Sequence, residues 1–186
     1  MGYTTDFYGT FKITPALKEE HKEYLLAFSD SRRMKRNAQK CESLHDPIRL
    51  AVELPVGIEG EFVVSQTGYD DKSIIERNSP SSTQPGLWCQ WIPNDEGTEL
   101  KWNGAEKFYA YIEWLDYLHT KLFKPWGYTL EGMVKWRGED HDDTGRITFK
   151  DNILSHQTQK QRDDLLDEFL EKQETEKPSI DLKKRD

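Results

Sequence analysis

Residues 102–153 read WNGAEKFYAYIEWLDYLHTKLFKPWGYTLEGMVKWRGEDHDDTGRITFKDNI, and their spacing decides the fold. Asn103 followed three residues later by Glu106 predicts a capping box, with Asn in place of the usual Ser or Thr. Phe108, Tyr111, Ile112, Leu115, Leu118 and Leu122 then recur at helical spacing, a stripe wide enough to lie on a sheet. Pro125 and Gly127 stop that helix. From Tyr128 the period changes to two. Tyr128, Leu130, Gly132, Val134 and Trp136 point one way, while Thr129, Glu131, Lys135 and Arg137 point the other, as in a half-buried strand. After an acidic turn, Ile147 and Phe149 continue the alternation between Arg146, Thr148 and Lys150. Helix on antiparallel sheet is an α+β signature.

Upstream, residues 3–11 (YTTDFYGTF) alternate as a strand, in which Gly9 marks a bulge or a close backbone approach. Thr14-Pro15 supplies an N-cap and a first helical position. Leu17, Tyr24, Leu25 and Phe28 form the buried face of the helix that follows. No Gly or Pro interrupts before Pro47, so this helix is expected to reach Cys41, with Ala27, Met34, Ala38 and Cys41 on a weaker stripe. Residues 44–60 are irregular, 61–65 (EFVVS) read as a strand, and 66–86 form a long Ser/Pro/Asp/Asn-rich connection of the kind that is functional or mobile. Residues 86–92 (GLWCQWI) form a strand with Trp88 and Trp91 on opposite faces. Asp95, Glu96 and Gly97 turn the chain into a return strand at 99–102.

Downstream, 160–177 is a charged helix whose apolar residues are Leu165, Leu166, Phe169 and Leu170, and 178–186 is a loose tail. The expected organisation is an α+β domain over 1–154, a helical extension over 155–177 and a flexible end. Its antiparallel sheet is covered on one face by helices near 15–41 and 104–123.

The totals narrow the function. A length of 186 residues suits one domain. Aromatic residues make up 12% of the chain, which argues for a core built on large rings rather than for disorder. A net charge of -8 argues against a general nucleic-acid binder and suits a protein partner. No apolar run reaches membrane-spanning length, and the first residues lack a signal peptide's charged and apolar regions, so a cytoplasmic location without membrane contact is expected. Cys41 and Cys89 are too few for a disulfide framework or a zinc knuckle.

Candidate chemistry is sparse. DHDDTG (140–145), followed after five residues by Asp151, approaches a calcium-loop pattern that would use Asp140, Asp142, Thr144 and Asp151. Thr144 replaces an acid or amide, Asp151 replaces the bidentate Glu, and the flanks read as strands. A polar hairpin turn explains the same residues, so neither metal nor cofactor is expected. His141 between carboxylates, and His45-Asp46, stand on turns where sequence neighbours point apart. His21 and His119 fall on helices as packing residues. No G-x-S-x-G, H-E-x-x-H, Walker A or G-x-G-x-x-G motif occurs, so no catalytic residue is assigned.

Arg32, Arg33, Lys35, Arg36 and Lys40 form a basic run in an acidic chain. It reads as a solvated helix face pairing with acids elsewhere, or as a contact for phosphate, with Arg32, Arg33 and Arg36 supplying forked donors. Phe108, Tyr109, Tyr111, Trp114, Tyr117, Phe123 and Trp126 cannot all face one sheet. They are either interface anchors or covered by another layer of this chain, such as the long connection.

Several segments together carry a resemblance: MGYTTDFYGTF at the start, then PGLWCQW, WNGAEKFYAYIEWLDYL, KPWGYTLEG and WRGEDHDDTGRITFKDN. Over most of residues 1–154 the chain resembles a group of phage and mobile-element proteins of uncharacterised activity. Its closing helix–strand–turn–strand resembles small ferredoxin-like domains of plasmid and phage proteins. The resemblance implies a small accessory protein that binds and redirects a host enzyme or defence complex. On this reading Trp114, Tyr117 and Trp126 anchor a host protein, while Glu139, Asp140, Asp142 and Asp143 pair with its basic groups. The alternatives are an RNA- or nucleotide-binding module using 32–40 with exposed rings, and a metal-dependent enzyme at the acidic turn.

Overall fold

The computed structural model describes residues 2–65 and 71–175, with side chains of the last helix described to residue 168. Among the described residues eight strands form: β1 (Thr5–Thr14), β2 (Lys35–Arg36), β3 (Ile74–Glu76), β4 (Trp91–Pro93), β5 (Glu99–Trp102), β6 (Thr129–Gly138), β7 (Thr144–Lys150) and β8 (Ile153–Thr158). The helices are α1 (Glu19–Asp30), α2 (Ala38–Cys41), α3 (Pro47–Ala51), α4 (Tyr111–Leu118) and α5 (Gln159–Thr175). Six strands make one antiparallel sheet in the order β4-β5-β1-β6-β7-β8, and β2 pairs with β3 apart from it. The fold is α+β with a C-terminal helix. Taken in chain order, β1, α1, β4, β5, α4 and β6 trace a β-α-β-β-α-β path with β1 between β5 and β6, the split, ferredoxin-like arrangement. β7 and β8 extend it by two strands.

The alternation read from the sequence sets the sheet's two faces. Phe7, Phe11, Ile13, Leu100, Leu130, Val134, Trp136, Ile147 and Phe149 are buried on the side that α1 and α4 cover. Tyr24, Leu25 and Phe28 of α1, and Trp114, Leu115 and Leu118 of α4, close that core. At the sheet's centre the β1–β6 backbones approach closely. Gly9 has φ +109°, and a Cβ there would lie 2.6 Å from the Met133 carbonyl oxygen, so only glycine fits.

Several expected elements differ. α1 starts at Glu19 and not at Pro15: the Leu17 N–H donates to the Gly97 carbonyl at 2.8 Å, and Lys18 before the helix is extended. It ends at Asp30 and not at Cys41: the Ser31 hydroxyl donates to the carbonyls of Ala27 (2.7 Å) and Phe28 (3.3 Å), capping the last turn. The second main helix begins at Tyr111 rather than Gly104. Asn103 Oδ1 accepts from the Ala105 N–H at 2.9 Å in a local turn, and Lys107 and Ala110 adopt positive φ. α4 continues through His119–Phe123 as one π-helical segment. Residues 61–65 run buried but irregular, with no strand. β8 carries the sheet past residue 154, where the sequence showed no strand. Gln66, Tyr69 and Asp70 of the long connection, the side chains of Phe169 and Leu170, and the tail at 178–186 lie outside the described residues. Among the described residues no helix is long and apolar enough to cross a membrane.

His21 is buried, as its position on an amphipathic helix suggests. Its ring stacks on Trp126 at 4.1 Å and 5°, and Nδ1 meets the Tyr128 hydroxyl at 2.7 Å. Burial, helped by Lys18, holds its pKa below 6.5, with Glu20 opposing. A depressed folded-state pKa means that the unfolded chain takes up the proton first. His21 therefore contributes its full stability above pH 6.5 and loses it as pH falls from there through the folded-state value. Melting temperature measured from pH 7.5 to 5 should decline on that side, and His21→Gln should flatten the decline.

Candidate binding surface

Of the residues that the sequence offered for binding, Trp114, Tyr117, Arg33 and Arg36 are buried, while Glu139, Asp140 and Asp142 are exposed. Trp114 is 0% exposed and Tyr117 5%. The Tyr117 hydroxyl donates to Glu61 Oε2 (3.0 Å) and accepts from Gln84 Nε2 (3.3 Å), so the segments around 61 and 84 cover the rings that the sheet cannot. Trp126 is half-buried, with one indole face against His21. A second layer of the same chain thus absorbs part of the surplus of rings, while Tyr111 and Trp126 stay half-buried and Tyr109 is exposed.

The basic run is not a helix face, but its expected pairing with acids elsewhere is found at Lys35 and Arg36. Arg33 is 2% exposed: its guanidinium lies 4.3 Å over the Phe28 ring and donates to the Val63 carbonyl, and burial lowers its pKa. Arg36 is buried against Asp71 and donates to Ser73 Oγ at 2.8 Å. Arg32 donates to the Arg77 carbonyl (3.0 Å) and to Asn78 Oδ1 (3.2 Å), and Lys35 pairs with Glu59 at 2.7 Å. That pairing holds the Glu59 carboxyl down to about 2. The run therefore stitches the long connection and the 58–60 turn to the body, which is why so many cations stand together there.

The acidic turn is latched to the first strand. Glu139 Oε1 accepts from the Thr4 N–H (2.7 Å), Asp143 Oδ2 accepts from the Tyr3 hydroxyl (2.6 Å), and the Asp140 N–H donates to Tyr3 Oη (3.2 Å). The bond to Asp143 raises the Tyr3 pKa. Asp142 is exposed beside His141. Asp151 stands past the far end of β7, about 20 Å from Asp140 at a strand's rise per residue, so Asp140, Asp142, Thr144 and Asp151 do not converge on a metal. Among the described residues no three His, Cys, Asp or Glu side chains gather as metal ligands. Asp46, beside His45, is buried; its Oδ2 accepts from Arg49 Nε (3.2 Å) and from the Val64 N–H (3.0 Å), a structural role. His45 and Asp46 line a groove of about 710 Å³ between α1 and α3, whose buried carboxylate is thus already engaged.

The surface left over is the sheet's other face, which the described helices leave uncovered. Registers across β1, β6, β7 and β8 align Tyr8, Lys135, Arg146 and Gln157 in one row and Thr10, Met133, Thr148 and Ser155 in the next. Asp6 and Arg137 flank one side; Lys12, Glu131 and Lys150 flank the other. Lys12, Lys101, Lys135, Arg137, Arg146 and Lys150 thus share the face with three carboxylates, Asp6, Glu131 and Glu99, the last directly across from Lys12, in a chain whose net charge is -8. Tyr8 is 59% exposed and Met133 43%. A hollow of about 670 Å³ over β6, β7 and β8 is lined by Glu131, Met133, Arg146, Thr148, Lys150 and Gln157. Arg146 Nη2 is steadied by Gln157 Oε1 at 2.8 Å. These cations come from β1, β5, β6 and β7, between 2 and 89 positions apart in the sequence, so no run announced them; only strand pairing assembles them. No family model, no curated protein and no solved structure matches the chain.

Proposed function

We propose that the protein is a non-catalytic binding module whose uncovered sheet face takes a polyanion, single-stranded nucleic acid being the ligand that fits it. The supporting observation is charge segregation: six cations against three carboxylates on one face of an otherwise acidic molecule. Lys and Arg neutralise phosphates, and the exposed Tyr8 ring beside Lys135 offers a base a stacking surface worth about 1–3 kcal/mol. RNA-recognition motifs use a four-stranded sheet in this way, a likeness of architecture alone. The nucleic-acid reading made from residues 32–40 thereby moves to a different surface.

Fluorescence anisotropy with a labelled single-stranded RNA, a DNA duplex and an acidic peptide tests this. The single strand should bind, with affinity falling as salt rises near physiological strength. Lys135→Glu with Arg146→Glu should abolish binding at an unchanged melting temperature, and Tyr8→Ala should weaken it about tenfold. Absent binding, or binding indifferent to the double charge reversal, rejects the reading. Binding of the acidic peptide alone moves the face to a protein partner.

A host protein is the second reading. Trp88, 44% exposed with the Arg32 guanidinium 5.9 Å from its ring, favours it, since Trp and Arg dominate protein interfaces. Trp88 takes the place of Trp114 and Tyr117 as the anchor in that case. Both readings assume a reducing cytoplasm, which suits the free, buried thiols of Cys41 and Cys89.

A further inference from the structure

The two edges of the six-stranded sheet are unlike. β4 is three residues long and ends in Pro93, which has no N–H to offer another strand, so that edge is protected. β8 is six residues, ILSHQT, with no Lys, Arg, Asp, Glu or Pro. Ile153 is 67% exposed, and Ser155 and His156 are also exposed. β8 stands last in the strand order. Among the described residues, no main-chain hydrogen bond beyond its ladder with β7 reaches 153–157. The open stretch ends at Thr158, whose N–H donates to Gln161 Oε1 at 2.9 Å as α5 begins.

We propose that this edge pairs with β8 of a second copy, antiparallel about a two-fold axis near Ser155, joining two six-stranded sheets into one. An unpaired strand edge is a template for another strand, and an antiparallel pair of identical strands is self-complementary. Residues opposite each other must share a face, so an axis at Ser155 sets Ile153 of each copy against Gln157 of the other. Two chains that each carry a net charge of -8 repel over most of their surfaces. The uncharged strip is where they meet without opposing carboxylates. Antiparallel pairing also carries Asp151 of each copy toward the end where the other's α5 opens with Lys160 and Arg162. Lys150 on the same turn reduces that gain, so the neutral strip carries the argument. Leu165 and Leu166, exposed within two turns of β8, add apolar surface for the pair to bury.

Sedimentation velocity of the full chain over a concentration series, without any ligand, tests the proposal. The weight-average mass should climb toward twice that of one chain. Ser155→Lys, which sets two lysines against each other at the axis, and Ile153→Lys, which puts a charge in place of an apolar side chain opposite Gln157, should each weaken association about tenfold or more. Both positions are exposed, so far-ultraviolet circular dichroism, and the melting temperature at dilutions where the chain is monomeric, should not change. Tyr8→Lys, on the same face but away from the edge, should leave the mass unaltered. A chain that sediments as a monomer throughout overturns the proposal, as does a dimer indifferent to both lysines.

Discussion

Trp114→Ala should lower the free energy of unfolding by about 3–5 kcal/mol, as expected when a large buried ring is deleted and its space is left unfilled. Trp114 is fully enclosed. It meets the Phe28 ring edge-on at 5.9 Å and the Tyr117 ring at 5.5 Å, so its loss removes support from both α1 and α4. Domains of this size are stable by about 5–15 kcal/mol, so the variant should stand near the threshold of folding. Urea denaturation at constant slope is the measurement. A docking residue would behave oppositely, with an unchanged midpoint and a lost partner. Trp114→Phe, which keeps a ring in the same space, should recover a large part of the stability.

Gly9→Val should cost about 2–4 kcal/mol, from strain at a positive φ together with overpacking at the closest point of β1 and β6. The added Cβ meets main chain, the Met133 carbonyl, rather than a side chain that can swing away. Relief therefore requires the two strands to part in the middle of the sheet, where Gly9 stands opposite Val134. Circular dichroism melts against the neighbouring Tyr8→Val, expected to change stability by no more than about 0.5 kcal/mol at its exposed position, check the figure. Equal effects at the two positions would show that the close approach does not govern stability.

Much of the sheet was legible because a period of two is a sharp signal. β1, β6 and β7 have the faces that their alternation assigns, and Gly9 stands where the sequence placed a close approach. Trp88 and Trp91 divide as expected, the first exposed and the second buried. β8 was not legible: Ile153, Leu154, Ser155, His156, Gln157 and Thr158 alternate too weakly to mark a strand.

The helix boundaries failed for local reasons. The Asn103 side chain satisfied its own turn, and Ser31 capped a helix that no Gly or Pro would have stopped. The larger failure concerned the rings and the arginines together. Periodicity describes one layer against another, and nothing in it says that the irregular segments near 61 and 84 will fold over Tyr117 and Trp114. Nor does it say that Arg33 will enter the interior against Phe28. A charge run is read as surface because isolated charges are costly to bury; here Asp71 and Ser73 offset that cost for Arg36, while the Arg33 side chain has the Val63 carbonyl and the Phe28 ring.

The uneven distribution of charge on this molecule has a kinetic consequence. At an ionic strength near 0.01 M the screening length is about 30 Å, so an approaching polyanion feels the whole acidic body and is turned away. Near 0.15 M it is about 8 Å, and only the patch immediately ahead is felt. Encounter should therefore speed up as salt is first added, and the complex should loosen only as salt rises further. On the proposed reading, a polyanion is admitted best at an intermediate salinity.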